Sequence, residues 1–502
     1  MNHSRSLMFF AVLLYVFSFS LRFYKFSNGM PFGDDHARDA TVIMEHIQAK
    51  KPFVLGPKTS VGEFYVHPLY YYVMSVPLML TQGNPFSMSF LIVLIESFTP
   101  VLLFIFVYRF WNLRSAQIAG VLYAISPFAI IFGSHAWSPN LVPFFSLLSL
   151  YGVFMYVFKK RHWGAYLGGL AAVGAFDMHF QGAVLCVFLV FVATMDIVRD
   201  VRNLKTWLIS LAVVLLTFFP FLFDLELSAK NLTQMQHVFL NQGEVFQTVR
   251  TIPYFWNKIP RFFELSIGLE TGGYFFGRVI FFVSSLLLGI RFLTEIRRTK
   301  RSPSMLLLIF FLISLICLRM YKGDKLDYYL LFMLYLPSTF LSLALDFIFQ
   351  KFFVFPTLFL LYLVLRVQAA TNYRGLVDYQ AVHLLASHLQ KTAPSAQLEQ
   401  FRDVYYQSTF MYLWKYVLHQ SVNSNSASQT AQIPLVSTYI YVCEEGVRCG
   451  DQQCNSHVGY KNSIPNEEID LDAFQKGYSF SHADEVSLGN KHFFVVTYTK
   501  GQ

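Results

Sequence analysis

The fold class predicted by this chain is a mainly α-helical polytopic membrane protein, and three observations carry the prediction. Of its 502 residues 55% are hydrophobic and only 14% charged, where a soluble domain carries roughly 25% charged residues. Apolar runs long enough to cross a hydrocarbon core recur along the chain. Short basic clusters punctuate them on alternate connections, as cytoplasmic loops do. The net charge of +9 therefore reflects loop topology. It forms no basic stripe of the kind nucleic acid requires, so no nucleic-acid partner is expected.

Eleven spans are expected, near residues 7–24, 87–108, 115–132, 141–158, 163–176, 181–197, 206–222, 274–294, 304–319, 328–347 and 352–367. The first has a basic start but no small-x-small cleavage site after it, which favours an uncleaved span over a signal peptide. Arg109 and Arg114, Lys159-Lys160-Arg161, Arg199 with Arg202 and Lys205, Arg297-Arg298-Thr299-Lys300-Arg301, and Lys351 then share one side. That side is the cytoplasm by the positive-inside rule, with the N-terminus inside and the C-terminus outside the cell membrane. Pro68–Leu80 is apolar but only about a dozen residues long, and counting it as a span would invert every later loop. It is expected to lie at the outer face as an interfacial or re-entrant helix.

The expected organisation is a transmembrane domain over residues 1–367 and a small mixed α/β extracytoplasmic domain over 368–502. Large outer loops occupy about 25–86 and 223–273. In the tail, Tyr379–Gln390 and Tyr405–His419 have helical apolar spacing, while Ile433–Cys443 and His492–Thr499 favour strands. Ser421–Gln432 reads as a loop. Cys443, Cys449 and Cys454, with His457 nearby, match no strong metal template, and one disulfide with a leftover thiol is the preferred reading. Cys186 and Cys317 lie in apolar segments and read as packing residues.

Chemistry concentrates in the first outer loop, at Gly33-Asp34-Asp35-His36-Ala37-Arg38-Asp39. From Asp35 to Gln48 the chain has helical character: Ala40, Ile43, Met44 and Ile47 form one apolar stripe, and Asp35, Arg38, Asp39, Glu45 and His46 point the other way. An N-cap needs one carboxylate. This loop gathers several ionisable groups beside a bilayer, where desolvation raises a carboxylate's pKa and suits it to accept a proton. Elsewhere, Asn140 follows Trp137 at an outer edge, and Asp177, His179 and Gln181 occupy another outer turn. Asp224 closes the seventh span, as a helix end or as a second acid in a cleft. Arg319, Lys322 and Lys325 lie on the outer side against the positive-inside bias, which makes them candidates for neutralising a phosphate. Glu96 is the one carboxylate well inside a span, and Asn231-Leu232-Thr233 is an outer-loop glycosylation triplet.

A first span, an outer loop with an Asp-centred motif, and an interfacial helix beginning Pro-Leu-Tyr-Tyr-Tyr together resemble the polytopic GT-C glycosyltransferases. The likeness is to the group of protein O-mannosyltransferases and the aminoarabinose transferase of lipid A. The resemblance makes Asp35 the match for the catalytic acid, with Asp34 as its one-residue alternative, and Arg38 the match for the nearby arginine. This sequence departs from the pattern in having His36 for the family's Glu and Asp39 for its Tyr. It also has Val66-His67-Pro68-Leu69 where the aminoarabinose transferase has Lys-Pro-Pro-Leu, leaving Lys58 or His67 to stand in for that lysine. What the resemblance implies is inverting transfer from a polyprenyl-phosphate sugar to a protein, lipid or glycan hydroxyl at the outer face. Asp35 would be the base, and Arg38, Arg319, Lys322, Lys325 and Lys58 would surround the donor phosphate. Asp39, His67, Tyr70, Asn140, His179 and Asp224 would line the acceptor cleft. No catalytic metal is implied as a requirement, and a divalent ion stays open. A transporter or lipid flippase, or a polymerase or ligase of surface polysaccharide, are the alternatives.

Overall fold

The computed structural model describes residues 3–27, 30–59, 64–237, 257–268, 275–299, 302–320, 327–349, 383, 386–387, 412–417, 438–444, 448–449, 452–453, 478–488 and 491–500. It shows a polytopic α-helical membrane protein. The helices run in the order α1 (His3–Ser27), α2 (Asp34–Ala49), α3 (Leu69–Leu80), α4 (Phe86–Phe110), α5 (Leu113–Ala124), α6 (Pro127–Phe132), α7 (Val142–Lys159) and α8 (His162–Met178). They continue with α9 (Ala183–Arg199), α10 (Leu204–Leu216), α11 (Leu225–Gln236), α12 (Ile259–Ile267), α13 (Phe275–Thr299), α14 (Pro303–Met320) and α15 (Tyr335–Phe349).

Ten of the eleven expected spans fall on these helices, and the eleventh, 352–367, lies outside the described residues. Five described helices are long and apolar enough to cross a membrane alone, or six if the bent pair Asp327–Met333 and Tyr335–Asp346 is one span. The other segments are shorter for local reasons. The expected span 115–132 is broken where Pro127 removes a backbone donor. Ser126 caps the resumed helix, its hydroxyl accepting the Ala129 N–H at 3.3 Å. The segment 206–222 is α-helical only to Leu216 and continues as a 3₁₀ turn around Pro220. Helix α3, at 12 residues, rises only about 18 Å against a hydrocarbon core of about 30 Å.

Packing in the bundle follows small residues and polar pairs. Helices α7 and α8 touch backbone to backbone: a Cβ at Gly152 would lie 2.6 Å from Gly168 N, and one at Gly164 would lie 2.4 Å from Gly152 O. Ser149 adds a hydroxyl bond to Gly168 O at 2.8 Å across the same seam. Glu96 is not isolated in its span. It is buried, accepts from Thr99 at 3.2 Å, and lies within electrostatic reach of the buried Arg22 of α1. Arg22 in turn donates to Ser18 Oγ at 2.6 Å. A Cβ at residue 133 would come 2.8 Å from Arg22 Nε and 3.1 Å from Glu96 Cβ, so only glycine fits against both.

By contacts the chain divides into two compact units. One holds residues 1–28, 48–76 and 88–373; the other holds 29–47, 77–87 and 374–502. In the second unit, Tyr412 packs on Phe32 with ring centroids 5.6 Å apart and donates to Gly83 O at 2.7 Å. Its five strands are β1 (Thr438–Glu444), β2 (Arg448–Cys449), β3 (Gln452–Gln453), β4 (Tyr478–Leu488) and β5 (Lys491–Lys500). They make an antiparallel sheet of order β1-β5-β4 and a two-stranded β2-β3 ribbon. The strands expected over 433–443 and 492–499 thus appear as β1 and β5, paired with Tyr441 opposite Val496. Most of the two helices expected in the tail lies outside the described residues.

Candidate functional site

In the second unit the site is built on α2. The residue flanking this helix is Gly33, whose carbonyl accepts the Ala37 N–H at 3.0 Å. The Gly33 N–H is taken by His36 Nδ1, also at 3.0 Å, a side chain reaching back one turn as in a capping box. With His36 satisfying the turn, Asp35 is not needed as a cap. Its carboxylate instead receives Arg38 Nη1 on Oδ1 at 2.7 Å. Arg38 Nε and Nη2 both donate to Asp39 Oδ1, at 3.1 and 3.0 Å. One guanidinium therefore clamps two carboxylates of very different exposure: the Asp35 side chain is 51% exposed and that of Asp39 2%.

Two expectations change here. The Asp35 side chain is half exposed; the buried acid is Asp39, which the helical pattern had placed on the polar face. Arg38 is also spoken for by two carboxylates, and this geometry suits an orienting clamp better than a free phosphate contact. Burial, with the charge of Arg38 adding to it, pushes His36 down to about 4, so this ring is neutral at physiological pH. The backbone of Asp34 opens α2, and its side chain lies outside the described residues.

In the first unit the rest of the first long loop folds back on itself. Gly56 N–H donates to Val66 O at 2.8 Å and Val66 N–H to Pro57 O at 3.1 Å, with a bridge between Lys58 and Tyr65. A Cβ at Gly56 would lie 2.2 Å from His67 O, which is why glycine stands at this crossing. Helix α11 pins the loop: the Asn231 side-chain amide accepts from Tyr65 N–H at 2.8 Å and donates to Tyr65 O at 3.0 Å, as a neighbouring strand would. The Asn231-Leu232-Thr233 triplet is therefore a structural pin, with its asparagine buried.

His67 and Asp177, 110 positions apart in sequence, meet at the end of this loop with Nδ1 to Oδ2 at 3.3 Å; their side chains are 5% and 1% exposed. The ring packs edge-on against Phe218 and Phe221 at 5.7 and 5.0 Å. Sequence reasoning named both residues and missed their pairing, because no local pattern signals so distant a partner. Tyr70 is fully buried at the start of α3, while Lys58 is exposed. His179 stacks with Tyr329 at 5.6 Å, and Tyr328 bridges to Trp137 at 4.7 Å. Asn140 is buried and donates to His135 O at 2.8 Å, holding its own turn. Asp224 is the N-cap of α11, accepting the Leu227 N–H at 2.9 Å, so the helix-end reading describes it. Arg319 ends α14, and Lys322 and Lys325 lie outside the described residues. Asp327 pairs with Arg261 of α12 at 3.3 Å. Among the described residues, no three His, Cys, Asp or Glu side chains converge on a metal position.

Solved structures share the fold of this chain. ArnT from Cupriavidus metallidurans, solved bound to undecaprenyl phosphate, superposes with a TM-score of 0.59 over 97% of each chain at 11% identity. The Archaeoglobus fulgidus oligosaccharyltransferase in complex with Zn and sulfate superposes with a TM-score of 0.51 at 14% identity, covering 85% of this chain and 59% of that one. No protein-family model and no curated protein matches the sequence.

Proposed function

We propose that this protein is an inverting glycosyltransferase that moves a sugar from a polyprenyl-phosphate donor to an acceptor hydroxyl at the extracytoplasmic face of the membrane. The observation that carries this reading is the Asp35 carboxylate on a GT-C scaffold. Its Oδ1 is held by Arg38 at 2.7 Å, and its side chain stays half exposed where an acceptor can reach it. The ArnT structure with undecaprenyl phosphate supports a lipid-linked donor for the same fold.

In the proposed step the acceptor oxygen attacks the anomeric carbon from the face opposite the phosphate. The new C–O bond forms as the bond to the phosphate oxygen breaks, and the electron pair leaves with the polyprenyl phosphate. Asp35 takes the acceptor proton as that oxygen commits a lone pair to the new bond, the O–H electron pair staying on oxygen, a contribution of roughly 10²–10⁴ in rate. Arg38 keeps the carboxylate aimed, and Asp39 fixes Arg38 from its buried side. Neutralising the departing phosphate falls to the outer cations Arg319, Lys322, Lys325 and Lys58. The test is transfer of labelled sugar from polyprenyl-phosphate donors by the reconstituted protein. Wild-type turnover that Asp35→Asn abolishes supports the reading, and full activity in that variant refutes the assignment of the base.

A further inference from the structure

Three helix ends that the proposed reaction leaves unused meet around a groove: the C-termini of α7 and α9 and the N-terminus of α14. The groove encloses about 210 Å³ between apolar walls that include Phe158, Phe191, Met195 and Leu306, and Lys160 and Arg199 stand on its rim. Phe191 and Met195 are 38% and 46% exposed. On a helix apolar enough to cross the bilayer, that exposure is contact with lipid chains.

Among the described residues no carboxylate forms an ion pair with Lys160 or Arg199. The acids close by are engaged elsewhere. Asp196, which also lines the groove, accepts from the Tyr156 hydroxyl and from Trp207 Nε1. Asp200 is held by Arg202 at 2.8 Å. Glu295 accepts from the Ser302 and Ser304 hydroxyls at 2.6 and 2.9 Å and from Arg291 at 3.2 Å.

A second observation singles out Lys160. It ends α7 at φ 56°, ψ 33°, a left-handed position that glycine or asparagine fills with least strain. The lysine there brings a cation to the rim that neither of those residues would.

We infer that this groove binds an anionic phospholipid, its phosphate between Lys160 and Arg199 and its acyl chains along the apolar walls. The walls select a lipid over free phosphate, and the two unpaired cations select an anionic headgroup over a zwitterionic one. The test is native mass spectrometry of the full-length protein released from phosphatidylcholine nanodiscs containing phosphatidylglycerol. Wild type is expected to retain phosphatidylglycerol in preference. Lys160→Gly combined with Arg199→Gln should weaken that retention about twenty-fivefold, at roughly fivefold per cation, and leave phosphatidylcholine unchanged. Glycine suits the left-handed position, so α7 keeps its end, and an unchanged melting temperature in pure phosphatidylcholine discs checks the fold. Met195→Trp fills the groove with both cations intact and should lose the anionic lipid as well. Equal retention of the two lipids by wild type overturns the inference, as does unchanged phosphatidylglycerol in both variants. Displacement by millimolar inorganic phosphate, which would show a site for the bare anion, overturns it too.

Discussion

Replacing Asp39 by Asn separates the two acids that share Arg38. The buried Asp39 receives both Nε and Nη2 of the guanidinium on one oxygen, at 3.1 and 3.0 Å. Hydrogen bonds to charged groups contribute about 1.5–3 kcal/mol each where they are shielded. Here the arginine is 40% exposed, and an Asn oxygen still accepts, so the net loss is expected at about 1–2 kcal/mol. The pair formed by Asp35 and Arg38 is far more exposed, and Asp35→Asn should cost less than about 1 kcal/mol. Turnover should divide the opposite way. Asp35→Asn removes the base and should lower kcat by about 10²–10⁴, whereas Asp39→Asn leaves the base present but loosely aimed and should lower it about tenfold or less. Melting curves in detergent, paired with transfer of labelled sugar, read both quantities on the same preparations. If Asp39→Asn abolishes turnover at unchanged stability while Asp35→Asn retains it, the base has been assigned to the wrong carboxylate.

Three further outcomes follow from the geometry. Asp177→Asn should destabilise the protein by about 1–3 kcal/mol, because it removes the buried carboxylate that faces the His67 ring beside Phe218 and Phe221; the double variant His67→Leu with Asp177→Leu should recover much of that loss, which unfolding of the full cycle measures. Asn231→Ala should cost about 2 kcal/mol by removing both bonds to the Tyr65 backbone, and peptide mass analysis of the wild type should find Asn231 unmodified. His36 is held at about 4, below its ordinary 6.5. The unfolded chain therefore takes up this proton before the fold does, and the contribution of His36 is complete above about pH 6.5 and falls away as pH drops towards 4, by on the order of 2 kcal/mol. Melting from pH 7 to 4.5 should fall more steeply in wild type than in His36→Gln, whose side chain accepts the Gly33 N–H without titrating.

Much of the fold was legible because it rests on local patterns. The stripe Ala40, Ile43 and Met44 is buried and Glu45 is exposed, as helical spacing requires. The short Pro68–Leu80 segment forms a helix of 12 residues, too short to span, as its length implies. Breaks were harder to see: Pro127 and Pro220 lie inside stretches whose mean apolarity reads as continuous. The candidate site was legible as a motif but not as an arrangement. Asp39 looked like surface from its helical phase, yet its carboxylate is buried and bonded to Arg38. His67 with Asp177, Asn231 with Tyr65, and Arg22 with Glu96 join positions far apart in sequence. Nothing in a run of residues marks such pairs until the backbone brings them together.

The glycine seam between α7 and α8 bears on how the chain is made. Lys160 and Arg161 are the only residues between these helices, and Gly152, Gly164 and Gly168 let the backbones meet without intervening side chains. Close contact through small residues does not depend on later segments of the chain. The two spans can therefore leave the insertion machinery as one finished hairpin, a template against which α9 and α10 settle when they emerge.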